Sequence, residues 1–316
     1  MDYHTDVPWI DDFIQASTVL RGGRATEFYR SARAGRHVRI ASGVYLPASV
    51  WNALSADERF LASIHAAARA SRPGLVFSHF SAAALWRLPI IGSWPSKAEV
   101  TVGAEALSPS RHGFTARRYP IPEHPDSIDG LPVTALPRTL TDLGRTAPLS
   151  IAVAMMDRAL AAKGALTSVH GVQVTRSELV AELLTGTARG RTRCSLAINI
   201  ADGLSGSAGE SLSRVGMHLL GLPMPVLQHR FDDALGLVGI TDFWWPQFNL
   251  VGEFDGVGKY LREPLLAGQT TAEAVIAEKR REDRIRACGP RVVRWGWDVA
   301  RSLPALARHL GDAGLR

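Results

Sequence analysis

The sequence predicts a multi-domain chain that joins α+β and α/β units. Three observations point that way. The chain has 316 residues, 46% of them hydrophobic, enough to bury more than one core. Its front follows the order helix, turn, helix, two-stranded hairpin, which is the order of a winged helix. From residue 206 the pattern changes to α-β-β-β-α-β-α, the order of a mixed sheet flanked by helices.

The elements follow in chain order. Residues 8–34 alternate short helical stretches with a glycine break, PWIDDFIQASTVLRGG and then RATEFYRSARAG, where Gly35 is a helix stop. In RHVRIASGVYLP, Val38, Ile40, Val44 and Leu46 alternate about a Ser-Gly turn, a hairpin signal. ADERFLASIHAAARASR reads as an Ala-rich amphipathic helix, and SHFSAAALWRLP as a shorter one ended by Pro89. Strands are expected within 97–135, in KAEVTVG, GFTARRYPI and GLPVTAL, separated by Pro, Gly, Ser and Asp turns. PRTLTDLGR and LSIAVAMMDRALAAKG follow as helices. Two weaker helices, SELVAELLTG and RTRCSLAINIADG, fill 166–205. Beyond them come a helix at 207–220, strands at 226–232, 237–245 and 249–255, a helix near 271–288, the strand RVVRW and a last helix at 302–313. The expected organisation is a winged-helix DNA-binding unit (1–52), a central α+β unit (53–165), a helical connector (166–205) and an α/β unit (206–316).

Composition sets limits on function. No apolar run approaches the ~18 residues needed to span a bilayer, so no membrane partner is expected. The opening MDYHTDVPWIDD is acidic and lacks the basic and apolar regions of a signal peptide. Only Cys194 and Cys288 are present, outside any C-x-x-C pattern, which argues against a disulfide framework or a Cys-based zinc site. A reducing cytoplasm is the expected location. Lys and Arg number 36 against 30 Asp and Glu, a net charge of +6. The sorting matters more than the total: arginines cluster in 21–39 and 280–301, and carboxylates in 232–255.

Those carboxylates stand out because GITDFWWPQFNLVGEFD otherwise reads as two buried strands. A turn centred between Gln247 and Phe248 sets Asp242 directly opposite Glu253, with Asp255 on the same face. Like charges about 5 Å apart at an effective dielectric of about 20 cost on the order of 3 kcal/mol. A divalent cation reverses that sign, and Mg²⁺ favours one or two carboxylates with several waters. The plainer reading is a row of acids on the wet face of a hairpin. Lys259 could orient a metal-bound water, or be an exposed loop lysine. Glu210 could join the site, or close a capping box with Ser207 and pair with Arg214.

A helix bearing Glu, then Asp, then E-x-D on a hairpin, then a helix and an Arg-bearing strand resembles the PD-(D/E)XK nuclease superfamily. Within it, D-F-W-W-P…E-F-D-G-x-x-K followed by E-K-R-R-E-D-R-I-R-A-C-G-P-R-V-V-R-W is similar to a branch related to the very-short-patch repair endonucleases. The likeness spans about 206–300. It implies a restriction-endonuclease-like mixed sheet, metal binding by Asp242 and Glu253, Glu210 as an auxiliary acid, and Asp255 as a second carboxylate near the metal. The superfamily's usual Lys is Asp255 here, and the branch's usual His is Lys259. The run 278–295, with Arg281, Arg284 and Arg286, reads either as a solvated, salt-bridged helix face or as phosphate contacts.

In the front half, Thr26, Arg30 and Arg33 recur at helical spacing, with Arg24 before them and Arg36 and Arg39 in the wing. A helix with one basic stripe can enter a major groove while wing residues touch phosphates; a protein-binding or merely solvated helix is the other reading. The strings A-G-R-H-V-R-I-A-S-G-V-Y, S-H-F-S-A-A-A-L-W-R-L-P, D-G-L-P-V-T-A-L-P-R-T-L-T-D-L and M-D-R-A-L make residues 20–165 resemble the AbiEi antitoxins of type IV toxin–antitoxin systems. That resemblance implies a winged helix that represses its own operon and a partner nucleotidyltransferase-like toxin. Arg138 and Asp142, four apart, read as a structural ion pair, and His79 and Ser81 as capping or core polar residues. Two expectations result: a DNA-binding protein with Mg²⁺-dependent endonuclease chemistry, or a non-enzymatic antitoxin and autorepressor with an inactive nuclease fold.

Overall fold

The computed structural model describes residues 2–3, 7–23, 25–71, 74–103, 114–162, 171–256 and 271–315. It is a mixed α and β protein that divides into two compact units, Met1–Thr146 with Val169–Cys194, and Ala147–Ser168 with Ser195–Arg316.

The first unit opens with β1 (Asp2–Tyr3), β2 (Ile14–Gln15), α1 (Ala16–Arg21), α2 (Ala25–Arg33), β3 (His37–Ala41) and β4 (Val44–Pro47). Strands β2, β4 and β3 form an antiparallel sheet of three. Phe28, the buried residue of α2, meets Tyr45 of β4 edge-on at 5.0 Å, and this contact seats the helix on the sheet.

The order continues with α3 (Ala48–Ala53), α4 (Ala56–Ala70), β5 (Val76–Phe77), α5 (His79–Leu85), β6 (Ala98–Val102), β7 (Phe114–Arg118), β8 (Asp126–Ile128), β9 (Leu131–Val133) and α6 (Leu136–Thr146). Helix α4 starts at a capping box in which Ser55 and Glu58 satisfy each other's amides. A second sheet runs β1-β8-β9-β5-β6-β7, mixing parallel and antiparallel neighbours. Leu61, Ile64, Phe77, Leu85, Trp86 and Leu140 are its fully enclosed filling. Trp86 gives its indole proton to the Thr134 carbonyl at 2.9 Å, so the ring is buried without an orphaned donor.

Helices α7 (Leu149–Leu160), α8 (Arg176–Thr185) and α9 (Arg191–Ile200) come next. α8 packs on α6 in the first unit. α7, which in the sequence falls inside the 53–165 stretch, packs on α10 in the second unit. The reason is an enclosed ion pair, Asp157 with Arg214 at 3.0 Å, in which Asp157 also accepts from Ser211 and the Asp202 amide.

The second unit is built from α10 (Ala208–Leu219), β10 (Val226–Asp233), β11 (Gly236–Trp245), β12 (Leu250–Phe254), α11 (Thr271–Ala287), β13 (Arg291–Trp295), α12 (Trp297–Ala300) and α13 (Leu303–Asp312). The sheet order is β10-β11-β12-β13, antiparallel except for the parallel pair β12–β13. Alternation sends Phe243, Trp245 and Leu250 to one face, where Met217 of α10 and Leu306 and Leu310 of α13 cover them. Val238, Val251 and Val292 go to the other face, against Ile285 of α11. Truncating Phe243 or Trp245 to Ala would cost about 3–5 kcal/mol in lost transfer energy and cavity formation. Among the described residues, no helix is long and apolar enough to cross a membrane.

Candidate functional site

The hairpin register follows from its turn. Pro246–Phe248 is a single 3-10 turn, and Asn249 takes the left-handed conformation, φ 46°, that returns the chain. The pairs Phe243 with Gly252, Trp244 with Val251 and Trp245 with Leu250 result. One step further along the same register, Asp242 stands opposite Glu253. Both lie on the α11 side of the sheet, two positions from Trp244 and Val251 respectively. Asp242 accepts the Phe254 amide at 2.8 Å, so its carboxylate takes the place of a ladder carbonyl.

Asp242, Glu253 and Asp255 come together at one cavity of about 280 Å³, with Glu278, Arg281 and Arg294 in its walls. Arg294 sits beside Glu253 on the neighbouring parallel strand, and Arg281 reaches over from α11. Glu253, only 8% exposed, gives one oxygen to Arg281 at 2.6 Å and the other to Arg294 at 2.7 Å. Glu278 also binds Arg281, at 2.7 Å, and Arg294, and Glu282 stands 3.3 Å from Arg294. The sequence left Arg281 open between a solvated helix face and phosphate contacts, and carried Arg294 only within the Arg-bearing strand of the nuclease resemblance. The parallel register of β12 with β13 is what joins them.

Burial pushes the Glu253 carboxyl above its ordinary value, and the two guanidiniums pull against it. For Glu278, hydrogen bonds from Arg281 and Arg294 outweigh burial and hold the carboxyl below the usual range. Hydrogen bonding to Glu278 and pairing with Glu253 raise Arg281 further. Among the described residues, four carboxylates and two guanidiniums line the cavity.

Hard oxygens on one face are the donor type that suits Mg²⁺, so the residues fit that ion in kind. Their arrangement is a different matter. Among the described residues, no three His, Cys, Asp or Glu side chains are grouped to hold an ion, and Glu253 spends both oxygens on guanidiniums. A metal would enter by taking Glu253 from one of them.

Glu210 is not brought to this cavity. It is 3% exposed, accepts the Gly206 amide at 2.8 Å and the Gln228 side chain at 3.3 Å, and its own amide caps onto Ser207. The carboxylate thus closes the loop one residue before the capping box expected from S-x-x-E. Arg214, four residues on, binds Asp157, Ser205 and the Ile200 carbonyl. Lys259 lies outside the described residues.

In the first unit, Thr26, Arg30 and Arg33 are all exposed on α2, and Arg36 and Arg39 are exposed beside it. Arg39 bonds the nearby Ala41 carbonyl, at 3.3 Å, and among the described residues no ion pair holds Arg30, Arg33, Arg36 or Arg39. Arg24 lies outside the described residues. No protein-family model matches the chain, and no curated protein matches it either.

Proposed function

We propose that the chain is a DNA-binding protein whose second unit carries a nuclease-like acidic site. The observation that supports this best is the gathering of Asp242, Glu253 and Asp255 at one cavity of a mixed sheet, where the described lining residues include four carboxylates and two arginines. In this reading Asp242 and Glu253 would hold Mg²⁺, with Asp255 beside them. The ion, when bound, would supply a polarised phosphate oxygen and an activated water. Asp242 is already oriented by the Phe254 amide. Arg281 and Arg294 would release Glu253 to the ion and turn to the phosphodiester, a ligand that guanidinium forks suit. The exposed stripe of Thr26, Arg30 and Arg33, with Arg36 and Arg39, would meet the DNA backbone and groove.

A second reading is favoured by one specific observation, the double clamp of Arg281 and Arg294 on Glu253. The clamp neutralises the buried acid without a metal. It suits an antitoxin-like autorepressor whose nuclease-like unit binds without cutting.

Plasmid nicking with Mg²⁺ separates the two. The first reading expects nicking by the wild-type chain and its loss in Glu253→Gln, with promoter binding intact in both. If neither protein nicks, while binding to its own promoter is lost in Arg30→Ala/Arg33→Ala, the repressor reading stands alone. Absence of DNA binding in the wild-type chain sinks both.

A further inference from the structure

The first unit holds a second, larger cavity, of about 610 Å³, with the opposite charge. Arg117, Arg118, Arg145 and Arg189 line it together with His79 and Tyr119, and among the described residues no carboxylate does. Two acids stand behind these walls. Glu99 binds Arg117, and Asp142 binds Arg138 at 2.8 Å while lying 3.8 Å from Arg145. Among the described residues, no ion pair holds Arg118 or Arg189, so the cavity keeps cationic charge that its surroundings do not cancel.

Two of the lining side chains are enclosed and each has a nitrogen without a hydrogen-bond partner. The Arg145 side chain is 2% exposed. It gives one Nη to the Leu183 carbonyl at 2.9 Å, and its Nε has no hydrogen-bond partner. His79 is 1% exposed, and its Nε2 also has none. Its Nδ1 lies 3.1 Å from the Ser78 hydroxyl. When that hydroxyl donates to Nδ1, Nε2 carries the ring proton with nothing to receive it. Burial, with Arg117 and Arg138 nearby, pushes His79 down to about 3, so the ring is neutral at physiological pH. Unpaired buried donors are uncommon in folded proteins and call for an acceptor.

The backbone is also shaped around this place. His79 has φ 49°, a conformation that side-chain-bearing residues rarely adopt. The 186–190 loop, which contributes Arg189, approaches Arg145 so closely that a Cβ at Gly186 would lie 2.5 Å from its guanidinium. One at Gly190 would lie 2.9 Å from its Cβ. Glycine at both positions lets the loop close over the arginine.

We propose that this cavity binds a phosphoryl group carried on a small organic body, the nucleoside phosphates being the class with fitting charge and size. Guanidinium forks pair with phosphate oxygens two at a time, and the His79 donor supplies one more contact. The volume exceeds the need of a bare phosphate and falls in the ~300–1,000 Å³ range of small-molecule sites. The site lies apart in sequence from the basic stripe of α2 and from the acidic cavity, and it does not depend on either reading of the chain's function.

Calorimetric titration of the full chain with ATP, with pyrophosphate and with a short single-stranded oligonucleotide, all at constant ionic strength, tests this. Saturable binding of ATP or pyrophosphate is expected, weakened roughly tenfold or more in Arg118→Ala/Arg189→Ala. Both replaced side chains are exposed, so the fold is kept. Pyrophosphate matching ATP would show that the phosphoryl group carries the recognition; tighter ATP would show that the organic body is read as well. As an independent readout, ATP should shift the His79 Nε2 signal in histidine-selective ¹⁵N spectra of the wild-type chain. The idea is overturned if neither small anion binds saturably, if only the oligonucleotide binds, or if the double variant binds as the wild type does.

Discussion

The two arginine-lined cavities are electrostatic opposites. In the first unit, four arginines and, among the described residues, no carboxylate line a cavity, and two enclosed nitrogens there have no hydrogen-bond partner. In the second, Glu253, Glu278 and Glu282 bind two arginines, and Glu253 has a guanidinium on each oxygen. The same residue type therefore does two jobs. Arg281 and Arg294 are consumed by neighbours of opposite sign, whereas Arg118 and Arg189 have charge to offer a ligand. A basic composition, +6 for the whole chain, hides this division. What decides an arginine's role is the local balance of charge and the number of donors left over, not how many arginines the sequence contains.

The largest expected effect is an acid sensitivity that belongs to the first unit. His65 and His79 are both enclosed there, held down to about 4 and about 3, chiefly by burial. Their folded values lie below the ordinary 6.5, so as pH falls the unfolded chain takes up protons first. Stability is full above about pH 6.5 and declines towards pH 4 as His65 titrates, with His79 extending the decline to about 3. Linkage assigns each group about 3 kcal/mol across the window from 6.5 to 4. Hydrogen exchange should show α4 and α5 losing protection over that window, and His65→Gln or His79→Gln should flatten the loss. Exchange in α4 that is constant from pH 7 to 4.5 would break this side of the comparison.

A smaller effect comes from a balanced pair in the second unit, which shows what a purely structural arginine looks like. Arg214, with its side chain 5% exposed, binds Asp157, Ser205 and the Ile200 carbonyl, and leaves little charge to offer. Asp157→Ala would strand that guanidinium in the interior and cost about 4 kcal/mol. Urea unfolding monitored by tryptophan fluorescence measures it. A loss below about 1 kcal/mol would mean that water reaches Arg214, and that it is less enclosed than the packing of α7 on α10 implies.

Some of this was legible in the sequence. The elements from 207 onward follow hydrophobic alternation and helix signals closely, and the turn at 246–249 sets the opposition of Asp242 and Glu253 within a dozen residues. The Arg138–Asp142 pair was equally accessible, because helical spacing alone brings the two together. Strands β5 and β8 were not foreseen, since two or three residues are too few to display a period. The Glu253 clamp was hidden as well. It depends on a parallel pairing between strands separated by a whole crossover helix, and no local pattern reports such a register. The cationic cavity was hidden for the same reason, its walls coming from residues 79, 116–119, 145–146, 187 and 189.

The smallest expected effect sharpens the comparison at the acidic cavity itself. If its clustered carboxylates invite a cation, Mg²⁺ should stabilise the second unit, and EDTA should remove the gain. For a dissociation constant of about 1 mM, 10 mM Mg²⁺ is worth about 1.4 kcal/mol by mass action. The arginines complicate this in a useful way, because Arg281 is the cation that Glu253 already has. Arg281→Ala leaves Glu253 and Glu278 with one shared guanidinium, so the variant should be less stable in EDTA and gain more from Mg²⁺ than the wild type does. Asp242→Asn should gain less than either. Thermal unfolding of the three proteins at matched ionic strength, with and without the ion, gives the order directly. If Arg281→Ala gains no more than the wild type, the acids are satisfied by arginine and hydration alone, and the cavity is a structural ion-pair network rather than a metal site.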